Sequence, residues 1–298
     1  MSAHGLSGPG LRLDRLPRRR RMNHVMEALS WLSAAVAIAI LGIVVWSVAS
    51  KGWSELNLDL LTKAPIPFSL TNAPQGLANA FAGTLVIVGL ATAMALPVGI
   101  LVAVYLNEFA PASIRTGVGL ALDVLAGVPA IVVGIFVYVL LVVHHGGQSA
   151  LKGAFALAIL MLPFIARATI EVLALVPNSL REASLGLGVP QWRTTLSIVL
   201  PRATGGIVTG TVLAVARVAG ETAPLLFTSS IVGTQVHWGP TQALQTIPVA
   251  IFELSESPDP KDHARAWAAG FILLLFILFA SLTARWLATR SARKLAGR

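Results

Sequence analysis

The stretch AFAGTLVIVGLATAMALPVGILVAVYL, which runs from Ala80 to Leu106, carries no charged residue and decides the class of fold. An apolar run of about 20 residues is long enough to cross the hydrocarbon core of a bilayer as an α-helix. Further runs of similar length lie at 28–49, 117–143, 150–176, 203–232 and 264–288. Lipid admits only helices and closed barrels, and the alternating pattern of barrel strands is absent from these runs. The sequence therefore predicts an all-α, polytopic membrane protein with six transmembrane helices.

The composition supports this class and excludes several kinds of site. Hydrophobic residues make up 55% of the 298 residues and charged residues only 12%, whereas soluble domains carry about 25% charged residues. There is no cysteine, which excludes a disulfide framework, a thiol nucleophile and a cysteine-based metal site. His144 and His145 are adjacent but have no further ligand in the pattern, so we expect an exposed loop there and no metal site.

The net charge of +9 can be explained by the distribution of Lys and Arg between the two sides of a membrane. If the N-terminus lies inside, most Lys and Arg residues outside the spans fall on the cytoplasmic side. The positive-inside rule then predicts that both termini are cytoplasmic. This bias accounts for the basic balance without nucleic-acid binding.

The runs and their connections divide the chain into segments. A basic cytoplasmic tail (1–27) precedes a retained anchor helix (28–49), whose apolar run is too long for a signal peptide. An outer loop (50–79) containing Pro65, Pro67 and Pro74 follows. We expect the transmembrane domain at 80–289, with a cytoplasmic loop at 177–202, and a second basic tail at 290–298.

The cytoplasmic loop contains REASLGLGVPQWRTTLSIVLP, from Arg181 to Pro201. Ser179 and Glu182 have the spacing of a capping box, which predicts a short helix starting near Leu180. Gly188 suits the left-handed residue that ends such a helix, and Pro190 can open the next one. A short rod of this kind can dock in a groove on another protein.

The same segment carries a family resemblance. Glu182-Ala183-Ser184, then Gly188, then Ile198-Val199-Leu200-Pro201 resembles the EAA motif of ABC import permeases, in which Ser184 is usually alanine. The resemblance implies a type I (MetI-like) importer bundle and a short helix that docks on a separate ATPase. It assigns ATPase coupling to Arg181, Glu182, Ala183, Ser184, Leu185, Gly186 and Gly188.

The chain itself lacks the means to hydrolyse ATP. No G-x-x-x-x-G-K-[ST] phosphate-binding sequence occurs in it. We therefore expect a transporter subunit and not an enzyme, with no cofactor of its own, and with ATP and Mg²⁺ bound by the partner ATPase.

Two arginines lie within predicted spans, Arg167 and Arg217, and each is followed four residues later by an acid, Glu171 or Glu221. A charge at the centre of a membrane helix costs at least about 2.5–3.5 kcal/mol, so such groups seldom face lipid. One interpretation is two internal Arg–Glu pairs that neutralise each other. The other is an anion pathway, because guanidinium forks suit oxyanions and phosphate above all. Glu221 could then accept a proton-bearing oxygen of HPO₄²⁻ or hold Arg217 in place.

The segments ARVAGETAPLLFT (216–228) and AGVPAIVVGIF (126–136) resemble the PstA family of phosphate-specific permease subunits. The resemblance implies a subunit of an ATP-driven phosphate importer in the bacterial plasma (inner) membrane. Its partners would be membrane lipid, a PstC-like second permease, two PstB-like ATPases and a PstS-like phosphate-binding protein. It points to Arg167, Arg217, Glu221 and Glu171 as substrate-pathway residues. The alternatives are an importer of another oxyanion (sulfate, molybdate or phosphonate), a stand-alone channel or carrier, and a scaffold or sensor component.

Overall fold

A computed structural model describes residues 16–65, 75–230, 233 and 235–295. The chain divides into two compact units, Met1–Ser50 and Lys51–Arg298. The first is built from helix α1 (Leu16–Gly52), which begins well before the predicted span at 28. Pro17 fits the first turn of a helix and the arginines that follow are good helix formers, so the basic segment continues the helix. The predicted tail residues 1–15 and 296–298, and the loop prolines Pro67 and Pro74, lie outside the described residues.

The second unit is built from helices joined by loops, with no strand among its described residues, so the all-α prediction is confirmed. Its helices are α2 (Leu58–Thr62), α3 (Ala78–Val104), α4 (Ala112–Gly127), α5 (Ala130–Val137), α6 (Ala150–Ala174), α7 (Asn178–Gly186), α8 (Gln191–Thr194), α9 (Leu200–Val218), α10 (Ala223–Thr228), α11 (Ile247–Ser255) and α12 (Pro260–Leu295). Three single π turns continue these helices. The turn Tyr105–Phe109 extends α3, the turn Tyr138–Val142 extends α5, and the turn Thr195–Val199 joins α8 to α9.

Five helices of the described chain are long and apolar enough to cross a membrane, and a bent pair makes a sixth if it is counted as one span. The five are Met22–Glu55, Ala78–Phe109, Ala150–Ala174, Gln191–Val218 and Pro260–Thr283, and the pair is α4 with α5, bent by 96°. Pro129 lacks an N–H group and disfavours helix in the residue before it, which explains the break after Gly127. The five to six spans of the described residues agree with the predicted number, and the third predicted span is the one that is bent.

The predicted fifth span, 203–232, is wrong at its outer end. Helix α9 ends at Val218, and the short helix α10 starts only at Ala223. Gly220 weakens the helix, and Pro224 cannot supply the N–H group that a continuing helix would need. Glu221 therefore lies in a turn and not one helical turn beyond Arg217 on the same face.

Helix α6 lies at the centre of the second unit, packed against α3 on one side and α9 on another. Leu157, Met161 and Ile165 are fully buried in this core. Glycines bring the helices together: a Cβ placed on Gly99 of α3 would lie 2.8 Å from the side chain of Ile165. Gly210 of α9 lies against Ala168 of α6 in the same way. Small residues at such contacts let membrane helices approach closely, which gives van der Waals packing its full effect.

Helix α11 is held to the start of α3 by polar contacts. The Thr84 hydroxyl accepts a hydrogen bond from the Ile247 N–H at 2.9 Å, and Asn79 Nδ2 donates to Gln245 Oε1 at 2.8 Å. Gln245 donates in turn to the carboxylate of Glu253. Burial raises the pKa of Glu253, while the hydrogen bond from Gln245 acts in the opposite direction. These bonds fix Gln245 and the start of α11 against α3.

Replacing Gly210 tests the contact between α6 and α9. In Gly210→Ala the new methyl group falls far inside van der Waals contact with Ala168 Cβ, which we expect to destabilise the fold by about 1–3 kcal/mol. The control is Gly89→Ala, where nothing lies within 4 Å, and which we expect to be neutral or stabilising by up to about 1 kcal/mol. Thermal unfolding of the detergent-solubilised protein measures both, and equal midpoints would contradict this packing.

Candidate functional site

Arg167, on α6, forms its ion pair with Asp123 on α4. Nη2 of Arg167 lies 2.5 Å from Oδ2 of Asp123 and also donates to the carbonyl oxygen of Gly119. The interpretation in which Arg167 is neutralised by Glu171 is wrong, because α4 presents a carboxylate directly to the guanidinium group. Nε of Arg167 is buried and has no hydrogen-bond partner among the described residues. One donor of the fork is therefore still unused.

Arg217 lies in the last turn of α9, with its guanidinium carbon 4.3 Å from the centroid of the Phe164 ring. A cation over an aromatic face is attracted by the quadrupole of the ring. Phe164 and Arg167 are three residues apart on α6, so their side chains are neighbours on one helix face. Through Phe164 the structure thus brings the two predicted arginines to the same side of α6.

The two predicted acids do not neutralise these arginines. Glu171 is exposed and Glu221 is half-buried in the turn after α9. Across the described ranges of the chain, neither Glu171 nor Glu221 forms an ion pair. The alternative of two internal Arg–Glu pairs is therefore wrong.

The charged side chains of this region are open to the outside of the chain. The Asp123 side chain is 63% exposed and that of Arg167 is 35% exposed. Arg217 and Glu171 are exposed as well. Charges on membrane-spanning helices seldom face lipid because of the cost of desolvation. The face that carries them is suited to a water-filled path or to another polypeptide.

Two residues of this site, Asp123 and Phe164, were not among the predicted site residues. Asp123 carried a usable signal, an acid in an apolar span, but its partner on α6 is distant in the sequence. Phe164 carried none, because an aromatic residue in a membrane helix is ordinary.

The second part of the candidate site is the segment around α7, between α6 and α9. The helix starts at Asn178, and neither Ser179 nor Glu182 makes a side-chain hydrogen bond in the described part of the chain, so the predicted capping box is wrong. Pro177 occupies the N-cap and starts the helix without a side-chain cap. The other end is as predicted, with Gly188 at φ +78°. The Gly188 and Val189 N–H groups bond the carbonyls of Leu185 and Ser184, which is the pattern of a Schellman motif.

The predicted coupling residues divide into two groups. Glu182, Ala183, Leu185, Gly186 and Gly188 are exposed, and the neighbouring Leu187 is 84% exposed. Ser184 is buried, and its hydroxyl oxygen lies 2.8 Å from that of Thr194, which ties α7 to α8. Arg181 points inwards to Glu108 at the end of α3. The exposed group forms a surface, while Ser184 and Arg181 fix the helix in place.

His144 and His145 lie in an exposed loop, where Nδ1 of His144 is 2.7 Å from the carbonyl oxygen of Val139. The described residues contain no group of three or more side chains that could hold a metal ion.

Residues 95–293 match the family described as binding-protein-dependent transport system inner membrane component. The chain belongs to this family. The resemblance to permeases of this family that the EAA-like motif indicated is confirmed, and the protein is a multi-pass membrane permease.

Relatives include the phosphate transport system permease protein PstA of Xylella fastidiosa, which is 39% identical over 279 residues, 92% of this chain and 95% of the relative. PstA of Haemophilus influenzae is 37% identical over 269 residues, which cover 90% of this chain and 94% of the relative. PstA 1 of Mycobacterium tuberculosis is 37% identical over 289 residues, which cover 93% of this chain and 91% of the relative.

Two solved transporters share the fold of this permease. A chain of a bacterial alginate ABC transporter superposes with a TM-score of 0.64 at 15% identity, over 93% of this chain and 98% of that one. A chain of the MetNI methionine ABC transporter superposes with a TM-score of 0.60 at 16% identity, over 72% of this chain and 95% of that one. The predicted type I importer bundle is thereby confirmed.

The end of α7 offers a test of the coupling surface. Gly188→Ala places a side chain in the left-handed region, which costs about 1–2 kcal/mol and should loosen the Schellman motif. The control is Gly186→Ala, where nothing lies within 4 Å and the backbone is helical. Hydrogen exchange of the 178–190 amides in the purified permease should speed up in the first variant only. Equal exchange in both would contradict the assigned geometry.

Proposed function

We propose that this permease is the transmembrane subunit of an ATP-driven importer of inorganic phosphate, where it forms half of the translocation pore. The observation that carries the proposal is the exposed face on which Arg167 and Arg217 flank Phe164. The names of the relatives, at 37–39% identity over at least 90% of the chain, support phosphate as the substrate.

The chemistry of the face suits a tetrahedral oxyanion. A guanidinium group binds such an anion through paired N–H donors, and it remains charged at every physiological pH. Among the described residues, one buried donor of Arg167 has no partner and Nη2 contacts Asp123, so an anion that binds at Nη2 would compete with that carboxylate. Glu221 is free to accept a hydrogen bond from a protonated phosphate oxygen, which sulfate lacks at neutral pH. No covalent step is needed, because the subunit binds, screens and releases its substrate.

The partners that we infer follow from the surfaces of the chain. A PstC-like second permease would close the charged face and complete the pore. A PstB-like ATPase pair would dock on the exposed side of α7, and a PstS-like binding protein would deliver phosphate from outside. Both termini would then lie on the cytoplasmic side of a bacterial inner membrane, in agreement with the distribution of Lys and Arg.

Reconstitution tests the proposal and its alternatives together. The permease is placed in lipid vesicles with its ATPase, second permease and binding protein, and uptake of labelled phosphate is measured with and without ATP. We expect uptake only with ATP. Preference for sulfate, molybdate or phosphonate would favour another oxyanion. Flux without the ATPase would favour a stand-alone carrier, and no flux of any anion would favour a scaffold.

The same vesicles test the two arginines. Arg167→Gln and Arg217→Gln keep a polar group but shorten the side chain and remove the charged fork. We expect each to lower uptake by about tenfold or more, as for loss of a charge-assisted hydrogen bond worth ~1.5–3 kcal/mol. The matched control is Arg202→Gln, an exposed arginine at the start of α9, which should leave uptake unchanged. Equal uptake by all three variants would contradict the assignment of the pathway.

A further inference from the structure

We propose that Glu108 and Arg181 form a rigid joint that carries movement of α7 into α3. Glu108 is thus a positioning residue for transport, although it touches neither substrate nor ATPase. The inference rests on the proposed function in one respect, namely that an ATPase docks at α7.

The pair is bidentate and almost completely enclosed. Nη2 of Arg181 lies 2.7 Å from Oε1 of Glu108, and Nε lies 3.1 Å from Oε2. The Glu108 side chain is 5% exposed and that of Arg181 is 16% exposed. Two parallel bonds fix orientation as well as distance, so the pair resists rotation in addition to separation.

The same guanidinium group joins a third element, the end of α6. Nη2 of Arg181 also donates to the Leu173 carbonyl at 3.0 Å, and Nη1 donates to the Val176 carbonyl at 2.6 Å. A cation at the C-terminus of a helix also meets the negative end of the helix dipole. Arg181 therefore ties α7 to α3 and to α6 through one planar group.

Further bonds hold the carboxylate and its backbone. Nδ2 of Asn107 donates to Oε1 of Glu108 at 2.7 Å, and the side chain of Gln191 in α8 donates to the Glu108 carbonyl oxygen. Glu108 belongs to the π turn Tyr105–Phe109 that continues α3. The joint thus connects the cytoplasmic end of a membrane-spanning helix with both short helices of the cytoplasmic segment.

The two sides of α7 differ in a way that suits a lever. Leu185, on the outer side, is 48% exposed, while Arg181 and Ser184 point inwards. A push on the outer side reaches α3 through a buried ion pair, which salt screens little. Removal of one partner leaves the other as an uncompensated buried charge, so the pair is costly to break. Gly99 then packs α3 tightly on α6, and displacement of one helix would move the other.

Spin labels can test whether the joint is rigid, because the chain has no cysteine of its own. Ser179→Cys on α7 and Leu101→Cys on α3 are exposed positions for the labels. In the complete transporter we expect one narrow distance distribution that is the same with and without ATP plus vanadate. Added Glu108→Gln should broaden it. A parent distance that shifts with nucleotide would overturn the proposal, as would an unchanged distribution in the variant.

Phosphate uptake per ATP hydrolysed distinguishes a pair that transmits movement from a pair that only stabilises the fold. We expect Glu108→Gln to retain the co-purifying ATPase and its basal hydrolysis, and to lose about tenfold in phosphate uptake per ATP hydrolysed, within the usual range of coupling between sites. Arg181→Lys keeps the positive charge but lacks the guanidinium fork, so its phosphate uptake per ATP should lie between those of Glu108→Gln and the parent. The control is Glu256→Gln, which changes an exposed carboxylate at the end of α11. Its phosphate uptake per ATP should equal that of the parent.

Two functional outcomes would overturn the joint. One is unchanged uptake per ATP in Glu108→Gln, and the other is loss of the ATPase from the complex, because the pair would then only maintain the docking surface. If the parent itself imports no phosphate, the proposed function fails, while the label distances in the two nucleotide states still decide whether α7 and α3 move as one body.

Discussion

A charged side chain on a membrane-spanning helix cannot be left in contact with hydrocarbon, and this constraint governs how the permease must be assembled. Asp123, Arg167, Glu171 and Arg217 all lie on apolar helices, and all of them reach the outside of the chain. Of these four side chains, Arg167 and Asp123 form an ion pair with each other, and no other ion pair of the four is seen in the described part of the chain. The charged face therefore needs water or a second polypeptide against it, as expected for half of a pore.

Helix α6 links the two parts of the candidate site. It carries Arg167 on the charged face, and near its C-terminus the Leu173 carbonyl accepts a hydrogen bond from Arg181 of α7. The six helical steps from Arg167 to Leu173 correspond to roughly 9 Å of helix. A substrate bound at one end of this stretch and a nucleotide-driven movement at the other would act on the same rigid element. This arrangement needs no long chain of intervening contacts between the two sites.

Features that depend on local rules could be predicted from the sequence. The apolar runs gave the spans, and Gly188 gave the end of α7, because a left-handed residue there suits only glycine. Features that depend on tertiary contacts could not be predicted. The spacing of Arg167 and Glu171 indicated a pair on one face, but Asp123 on α4 lies closer to the guanidinium group in the fold. The capping box failed for a local reason instead: Glu182 had the required spacing, but the helix starts after Pro177 without a side-chain cap.

Cysteine accessibility in the assembled transporter tests most directly whether the charged face lines a water-filled path. Asp123→Cys and Glu171→Cys leave both arginines in place, and Phe279→Cys, an exposed apolar position on α12, serves as the lipid-facing reference. A thiol reacts with a charged reagent only where water lets the thiolate form. The account predicts that the first two variants react much faster than the reference and that phosphate slows them. Reaction as slow as that of Phe279→Cys, with no effect of phosphate, would contradict it.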